Sequence, residues 1–257
     1  MSEKNRDGKR NARQRLVMER EKQKAADKRR RAMIVGAAVV CVLGLAAVVG
    51  VVAANSGGDT SDAEGPAVAP SGAGGKEKLA IPVGRPDAPS TMVVYEDFRC
   101  PACKAFETAY RSTVHELTEA GSLKAEYHLV TLIDGNLGGS GSLRAANAAA
   151  CSQDAGKFAE YHDVLFDAQP EETDDALADN KKLIELADKV PDLDTAAFRS
   201  CVNEGAHDSW VRESDKAFRE GGFNGTPTVL LNGKNIYEDR SMTPAKFKQL
   251  VEAKAAQ

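Results

Sequence analysis

Cys100-Pro101-Ala102-Cys103 holds two thiols at the spacing of a single helical turn. A predicted strand precedes the motif and a predicted helix follows it. Pro101 suits the first helical turn, which leaves Cys100 at the helix N-terminus among N–H groups without intrahelical partners. Those donors and the helix dipole favour a thiolate. An unperturbed thiol with a pKa near 8.5 is only about 3% ionised at pH 7, whereas a depressed one is mostly ionised. Cys103 lies one turn further in on the same face. The pair can therefore run a two-step exchange, with Cys100 as exposed nucleophile and Cys103 as the thiol that resolves a mixed disulfide.

A CxxC has two other uses. Half of a zinc site would need Cys151 and Cys201 as further ligands, yet these are single cysteines 50 residues apart, without the paired spacing of a zinc ribbon. A CxxC disulfide kept only for structure closes too short a loop to constrain much unfolded chain. The spacing points to redox chemistry, with no metal and no cofactor expected. Near the motif, Glu96 and Asp97 are either solvated strand-end charges or a buried acid relaying protons from Cys103. Arg99, adjacent to Cys100, is the electrostatic candidate. His115, His128, His162 and His207 lack metal-ligand spacing and read as surface or packing residues.

A second feature lies far downstream. Thr226-Pro227 opens an apolar run, TVLL. A proline there is either an edge or turn residue, or a cis-proline whose loop faces the CxxC and offers backbone groups to a peptide.

The elements that must position these residues follow from periodicity. Residues 92–98 (MVVYEDF) read as a buried strand, 100–120 as a helix and 123–133 as a second strand by alternation. Helical segments follow at about 142–153, 157–168, 176–189, 195–203 and 207–220, punctuated by Gly156, Pro170 and Pro191. Residues 228–231 and 236–237 flank the turn Asn232-Gly233, and a last helix follows Thr243-Pro244. Strand–helix–strand, a helical block, then hairpin and helix is an α/β architecture.

The rest of the chain places this domain. Of 257 residues, the first 32 carry a charge of +8, and residues 33–54 carry none. The remainder carries −12, so the net −4 averages two unlike parts. Composition excludes a fully disordered chain, a collagen-like chain and a small disulfide knot. The uncharged run, MIVGAAVVCVLGLAAVVGVVAA, opens at Met33, closes at Ala54 and is long enough to span a bilayer as a helix. It exceeds the usual signal-peptide core, although Val52-Ala53-Ala54 would satisfy cleavage rules. The positive-inside rule keeps the basic arm cytoplasmic and the rest outside the cytoplasm. Without a recognisable reading module, that arm suits topology and anionic headgroups rather than nucleic acid. Residues 55–79, rich in Gly, Ser, Ala and Pro, read as a flexible linker, and 80–257 as one domain.

DFRCPAC at 97–103, NGTPTVLLNG at 224–233 and the helical block between them resemble the DsbA-like thiol:disulfide oxidoreductases. The resemblance covers about residues 80–253. It implies a thioredoxin-like fold with a helical insertion (about 140–205), Cys100 as nucleophile, Cys103 as its partner and Thr226-Pro227 as the cis-proline pair. It also implies reduced exported proteins as substrates and reoxidation by a quinone-coupled membrane partner. The dipeptide Pro-Ala replaces the Pro-His of the family's best-known strong oxidant, so a weaker oxidant is expected. A reductase or isomerase using the same site, and a peptide-binding module without activity, are the rival readings. Cys151 and Cys201 fall on two helices of the insertion. In an oxidising compartment they form a structural disulfide, or else a second redox pair.

Overall fold

A computed structural model of the chain describes residues 67–256. The basic arm (1–32), the apolar run (33–54) and the first part of the linker lie outside those residues. Among the described residues, no helix is long and apolar enough to cross a membrane.

The chain runs through β1 (Ile81–Val83), β2 (Ser90–Glu96), α1 (Pro101–Glu119), β3 (Leu123–Leu129), α2 (Leu132–Leu137), α3 (Gly141–Asp154) and α4 (Phe158–Asp167). It continues through α5 (Asn180–Ala187), α6 (Ala196–Glu204), α7 (Asp208–Glu220), β4 (Thr228–Leu231), β5 (Lys234–Asn235) and α8 (Pro244–Ala255). Among the described residues these strands form one sheet in the order β1-β3-β2-β4-β5. β2 and β3 run parallel, joined by the α1 crossover, and the other neighbours are antiparallel. This is a thioredoxin-like α/β fold, with α2 to α6 as the helical insertion.

Strand β2 shows why the sheet is layered. Its alternate residues Ser90, Met92, Val94 and Glu96 are buried. Paired residues share a face, and Val94 pairs with Tyr127 while Tyr95 pairs with His128. Tyr127 packs against Phe158 and His162 of α4, so that face meets the insertion. Tyr95 packs against Phe218 of α7 and Phe223, so the other face meets α7. The buried face of β2 thus ends on a carboxylate, Glu96.

Three local departures from periodicity have identifiable causes. The 123–133 run ends its ladder early, because Thr131 N–H donates to Asp215 Oδ1 (2.9 Å) and Ile133 N–H to Asp97 Oδ2 (2.8 Å). The chain turns there into α2. The second strand expected at 236–237 lies instead at Lys234–Asn235. Asn232 and Gly233 both take positive φ, the two-residue hairpin geometry, and Asn235 Oδ1 then captures Tyr237 N–H and bends the chain away. β1 is a three-residue edge strand containing Pro82, too short and too proline-bound for an alternation signal.

Residues 67–79, within the stretch expected as linker, lie along the helices. Ser71 N–H donates to Asp154 Oδ1 (2.6 Å), Trp210 Nε1 to Lys78 O (2.8 Å) and His207 Nδ1 to Val68 O (2.8 Å). Trp210 is 1% exposed, and the only polar atom of its side chain is satisfied by this strap.

A disulfide joins Cys151 on α3 to Cys201 on α6. Cross-linking about 50 residues of unfolded chain contributes at most about 4 kcal/mol by loop entropy.

Candidate active site

Cys100 sits at the N-cap of α1 with Pro101 at the first helical position. Its carbonyl and that of Phe98 accept from Gln169 Nε2 (3.0 and 2.8 Å), which fixes the turn into the helix. Cys100 Sγ lies 3.3 Å from Thr226 O, and the Thr226–Pro227 peptide is cis. The loop before β4 therefore faces the cysteine motif. Cys100 is not the exposed thiol expected from the sequence: the facing loop leaves it 6% exposed, and Cys103 is 0% exposed. Both thiols are free.

The two cysteines are electrostatically unequal. A hydrogen bond from the Cys103 side chain is the largest influence lowering Cys100. Burial opposes it, and donors at Thr226, Cys103 N and Ala102 N add to it, bringing the thiol from 9.0 to about 6. Burial drives Cys103 well above 9, reinforced by its hydrogen bond with Cys100. Absorbance of the reduced chain at 240 nm is accordingly expected to rise with a midpoint near pH 6, lost in Cys100→Ser. A single transition near 8.5 would contradict this geometry.

Arg99 turns away from Cys100. Its guanidinium is 2% exposed and pairs with Asp134 (2.7 Å) and Asp175 (2.8 Å), while also donating to Gly138 O and Glu172 O. The same two carboxylates accept the first N–H groups of α3. Asp134 takes Ser142 and Leu143, and Asp175 takes Ser140 and Gly141. A Cβ at Gly141 would meet Asp175 Oδ1 at 2.5 Å, so only glycine permits this approach. The residue before the nucleophile is thereby bolted to the insertion, with its charge neutralised. Hydrogen bonds, not Arg99, lower the Cys100 thiol.

Asp97 is fully buried. Burial raises its carboxyl to about 7, against hydrogen bonds from the N–H groups of Ile133 and Arg99. Glu96 Oε1 meets His162 Nε2 at 2.8 Å. One oxygen each of Glu96 and Glu107 and one His162 nitrogen all lie within 4.8 Å of one another. Glu107 and Gln169 are not among the residues expected from the sequence, and His162 is there expected as a surface or packing residue. For Glu107 a signal existed: it follows Cys103 by four residues and so shares its helix face.

The sequence pattern of the thioredoxin family matches residues 76–253. The probable disulfide bond formation protein D of Bacillus anthracis is 25% identical over 154 residues, covering 59% of this chain and 69% of that one. Among solved structures, the reduced disulfide bond oxidoreductase DsbG of Mycobacterium tuberculosis is similar with a TM-score of 0.61 and 29% identity, covering 72% of this chain and 90% of its own. Reduced DsbA of Mycobacterium tuberculosis is similar at 0.60 and 29%, covering 70% and 93%. A matched span that takes in the CxxC, the insertion and the Thr226-Pro227 loop carries the conclusion that this chain belongs to the thioredoxin family, on its DsbA-like branch.

Proposed function

We propose that the chain is a thiol:disulfide oxidoreductase that introduces disulfides into exported proteins, held at the membrane by residues 33–54 with its domain outside the cytoplasm. The observation that carries the reading is the inequality of the two thiols beneath the Thr226 carbonyl. In the oxidised enzyme, a substrate thiolate attacks Cys100 Sγ and the bond to Cys103 breaks. A second substrate thiolate then attacks the mixed disulfide, and Cys100 leaves as the thiolate that its surroundings favour. Thr226 and Pro227 line the side on which the substrate peptide lies, with Thr226 O as its backbone partner. Asp97 and Arg99 hold the turn into α1, and Glu96 bears on the charge of Cys103. The Cys151–Cys201 bridge is structural. A quinone-coupled membrane partner reoxidises the pair, as in the resembling family, and relatives named for disulfide bond formation support the oxidising direction.

Linkage supports the oxidising direction. A depressed thiol pKa stabilises the dithiol form, fully above 9 and progressively less as pH falls through about 6. At pH 7, where Cys103 keeps its proton in either state, the effect is about 1.4 kcal/mol, or about 30 mV. A pKa of about 6 lies between those of thioredoxin (about 7) and of DsbA (about 3.5). Equilibrium titration of the full chain in detergent against glutathione, with alkylation to map the responding cysteines, is expected to give a potential between about −270 and −120 mV. A value at or below the lower limit would identify a reductase. Binding of unfolded protein without any exchange would identify a peptide-binding module.

A further inference from the structure

Among the described residues, two groups of three ligand-bearing side chains bring one donor atom each within 4.8 Å of one another. Glu96, Glu107 and His162 belong to the site already described. Cys151, Cys201 and His207 form the second group, and the exchange at Cys100 makes no use of them. Two sulfurs and an imidazole are a donor set suited to zinc and other borderline or soft cations.

The group is held by contacts that do not pass through the Cys151–Cys201 bond. Cys151 stands on α3 and Cys201 on α6, with Cα atoms 5.9 Å apart. Asn147, one turn before Cys151, reaches across the gap twice. Its Nδ2 donates to Val202 O (3.4 Å), and its Oδ1 accepts from His207 N–H (2.8 Å). Asn180 Nδ2 donates to the same Val202 carbonyl (3.2 Å). Gly205 ends α6 in the left-handed conformation, and the turn it makes brings His207 back to Cys201, six positions earlier. With the bridge open, two sulfurs and one ring remain close together. Small side-chain rotations then suffice for the spacing of about 3.3–3.8 Å that bonds of about 2.0–2.3 Å impose around a tetrahedral ion.

His207 has the surroundings of a metal ligand. A metal-bound imidazole keeps its second nitrogen on a carbonyl or a carboxylate, which fixes its tautomer and direction. Here Nδ1 lies 2.8 Å from Val68 O and Nε2 lies 2.9 Å from Asp154 Oδ2. Whichever nitrogen turns to an ion, the other keeps an acceptor. Cys151 and His207 are 2% and 3% exposed, Cys201 is partly buried, and the Asp154 side chain is 39% exposed. The group therefore has a dry interior and a neighbour open to water.

We propose that Cys151, Cys201 and His207, before the bridge is closed, form a binding site for a zinc-type divalent cation, with water or the Asp154 carboxylate in the fourth position. Two thiols bind the ion as thiolates, and two protons go to water. The site belongs to the dithiol state alone, because disulfide sulfurs carry no thiolate charge. The ion ties α3 to α6 in the maturing chain, as the bond does in the finished one, and it keeps both thiols from pairing wrongly with Cys100 or Cys103. Closure then takes a protein disulfide as oxidant. Two electrons pass from the thiolate pair to that disulfide, which takes two protons from water and leaves as two thiols, and the cation is released. Neither the ion nor its ligands enter the exchange at Cys100, so the site stands or falls apart from that chemistry.

The test uses the full chain in detergent with Cys41→Ala, Cys100→Ser and Cys103→Ser, so that its only thiols are the two in question. After reduction by a phosphine in the absence of oxygen, cobalt(II) is added and then displaced by zinc(II). The reduced chain is expected to take one equivalent of cobalt, with the visible bands of a tetrahedral thiolate site. It is expected to hold zinc with a dissociation constant below about 10⁻⁷ M. X-ray absorption at the zinc edge should count two sulfurs and at least one imidazole. The same chain with its bridge closed should bind neither ion at that affinity, which sets the level of adventitious binding. His207→Ala should weaken zinc by at least about 100-fold, and the imidazole count decides the matter if that variant does not fold. Zinc held equally well with the bridge closed, a shell of four sulfurs drawn from two chains, or unchanged affinity in a folded His207→Ala chain overturns the proposal. So does a reduced chain that takes no cobalt, folded or not, since the cage is argued to outlast the bond.

Discussion

Changing Cys100 to serine is expected to reduce the oxidation of an unfolded, reduced protein by at least about 10³-fold, to the rate of the uncatalysed control. A hydroxyl is not ionised at neutral pH and cannot hold the disulfide that the substrate attacks. The Cys151–Cys201 bridge remains in that variant, so the experiment separates the two pairs. Cys103→Ser is the complement. It keeps the nucleophile and removes the resolving thiol, so a substrate mixed disulfide at Cys100 should accumulate on non-reducing gels. Residual turnover within tenfold of the native chain in Cys100→Ser would move the chemistry to the insertion and end the present assignment.

The second large effect is on stability. Arg99→Met should cost roughly 3–5 kcal/mol, because it leaves Asp134 and Asp175 facing the turn into α1 without their cation. For a domain of this size that is a loss of roughly 6–20 °C in melting temperature. Both carboxylates would keep their helix-capping bonds to α3, so the helix itself should persist. What loosens is the joint between insertion and motif. Thermal unfolding by circular dichroism reads the effect, and a shift below about 2 °C would show that the ion pairs are marginal. The Arg99→Met variant should still titrate near pH 6 at Cys100, since that thiol is lowered by hydrogen bonds from Cys103 and Thr226.

The sequence discloses what is carried by period or by local chemistry. The alternation through β2, the Pro101 start of α1 and the Asn232-Gly233 turn all act within a few residues, and each is legible without the fold. The short α2 is not, because the groups that stop β3 and start α2 come from Asp215 and Asp97, 84 and 36 residues from the N–H groups they accept. His162 shows the same limit. Its partner Glu96 is 66 residues away, and only the stacking of α4 on the sheet turns a packing histidine into half of an ion pair. Arg99 neighbours the nucleophile in sequence, but its side-chain direction is set by two aspartates of the insertion. Glu107 sits between these cases, since its spacing from Cys103 was visible and the depth of its burial was not.

The bridge between α3 and α6 has a biosynthetic consequence. On the proposed function, each new copy reaches its compartment with Cys151 and Cys201 as separate thiols, and is therefore a client before it is a catalyst. An older, finished copy can close that bond with the same exchange it offers to other proteins. A population of this protein would then mature by inheritance, each generation finished by the one before. Cells newly deprived of active copies should accumulate the chain with its insertion unstapled, detectable as two extra alkylatable cysteines.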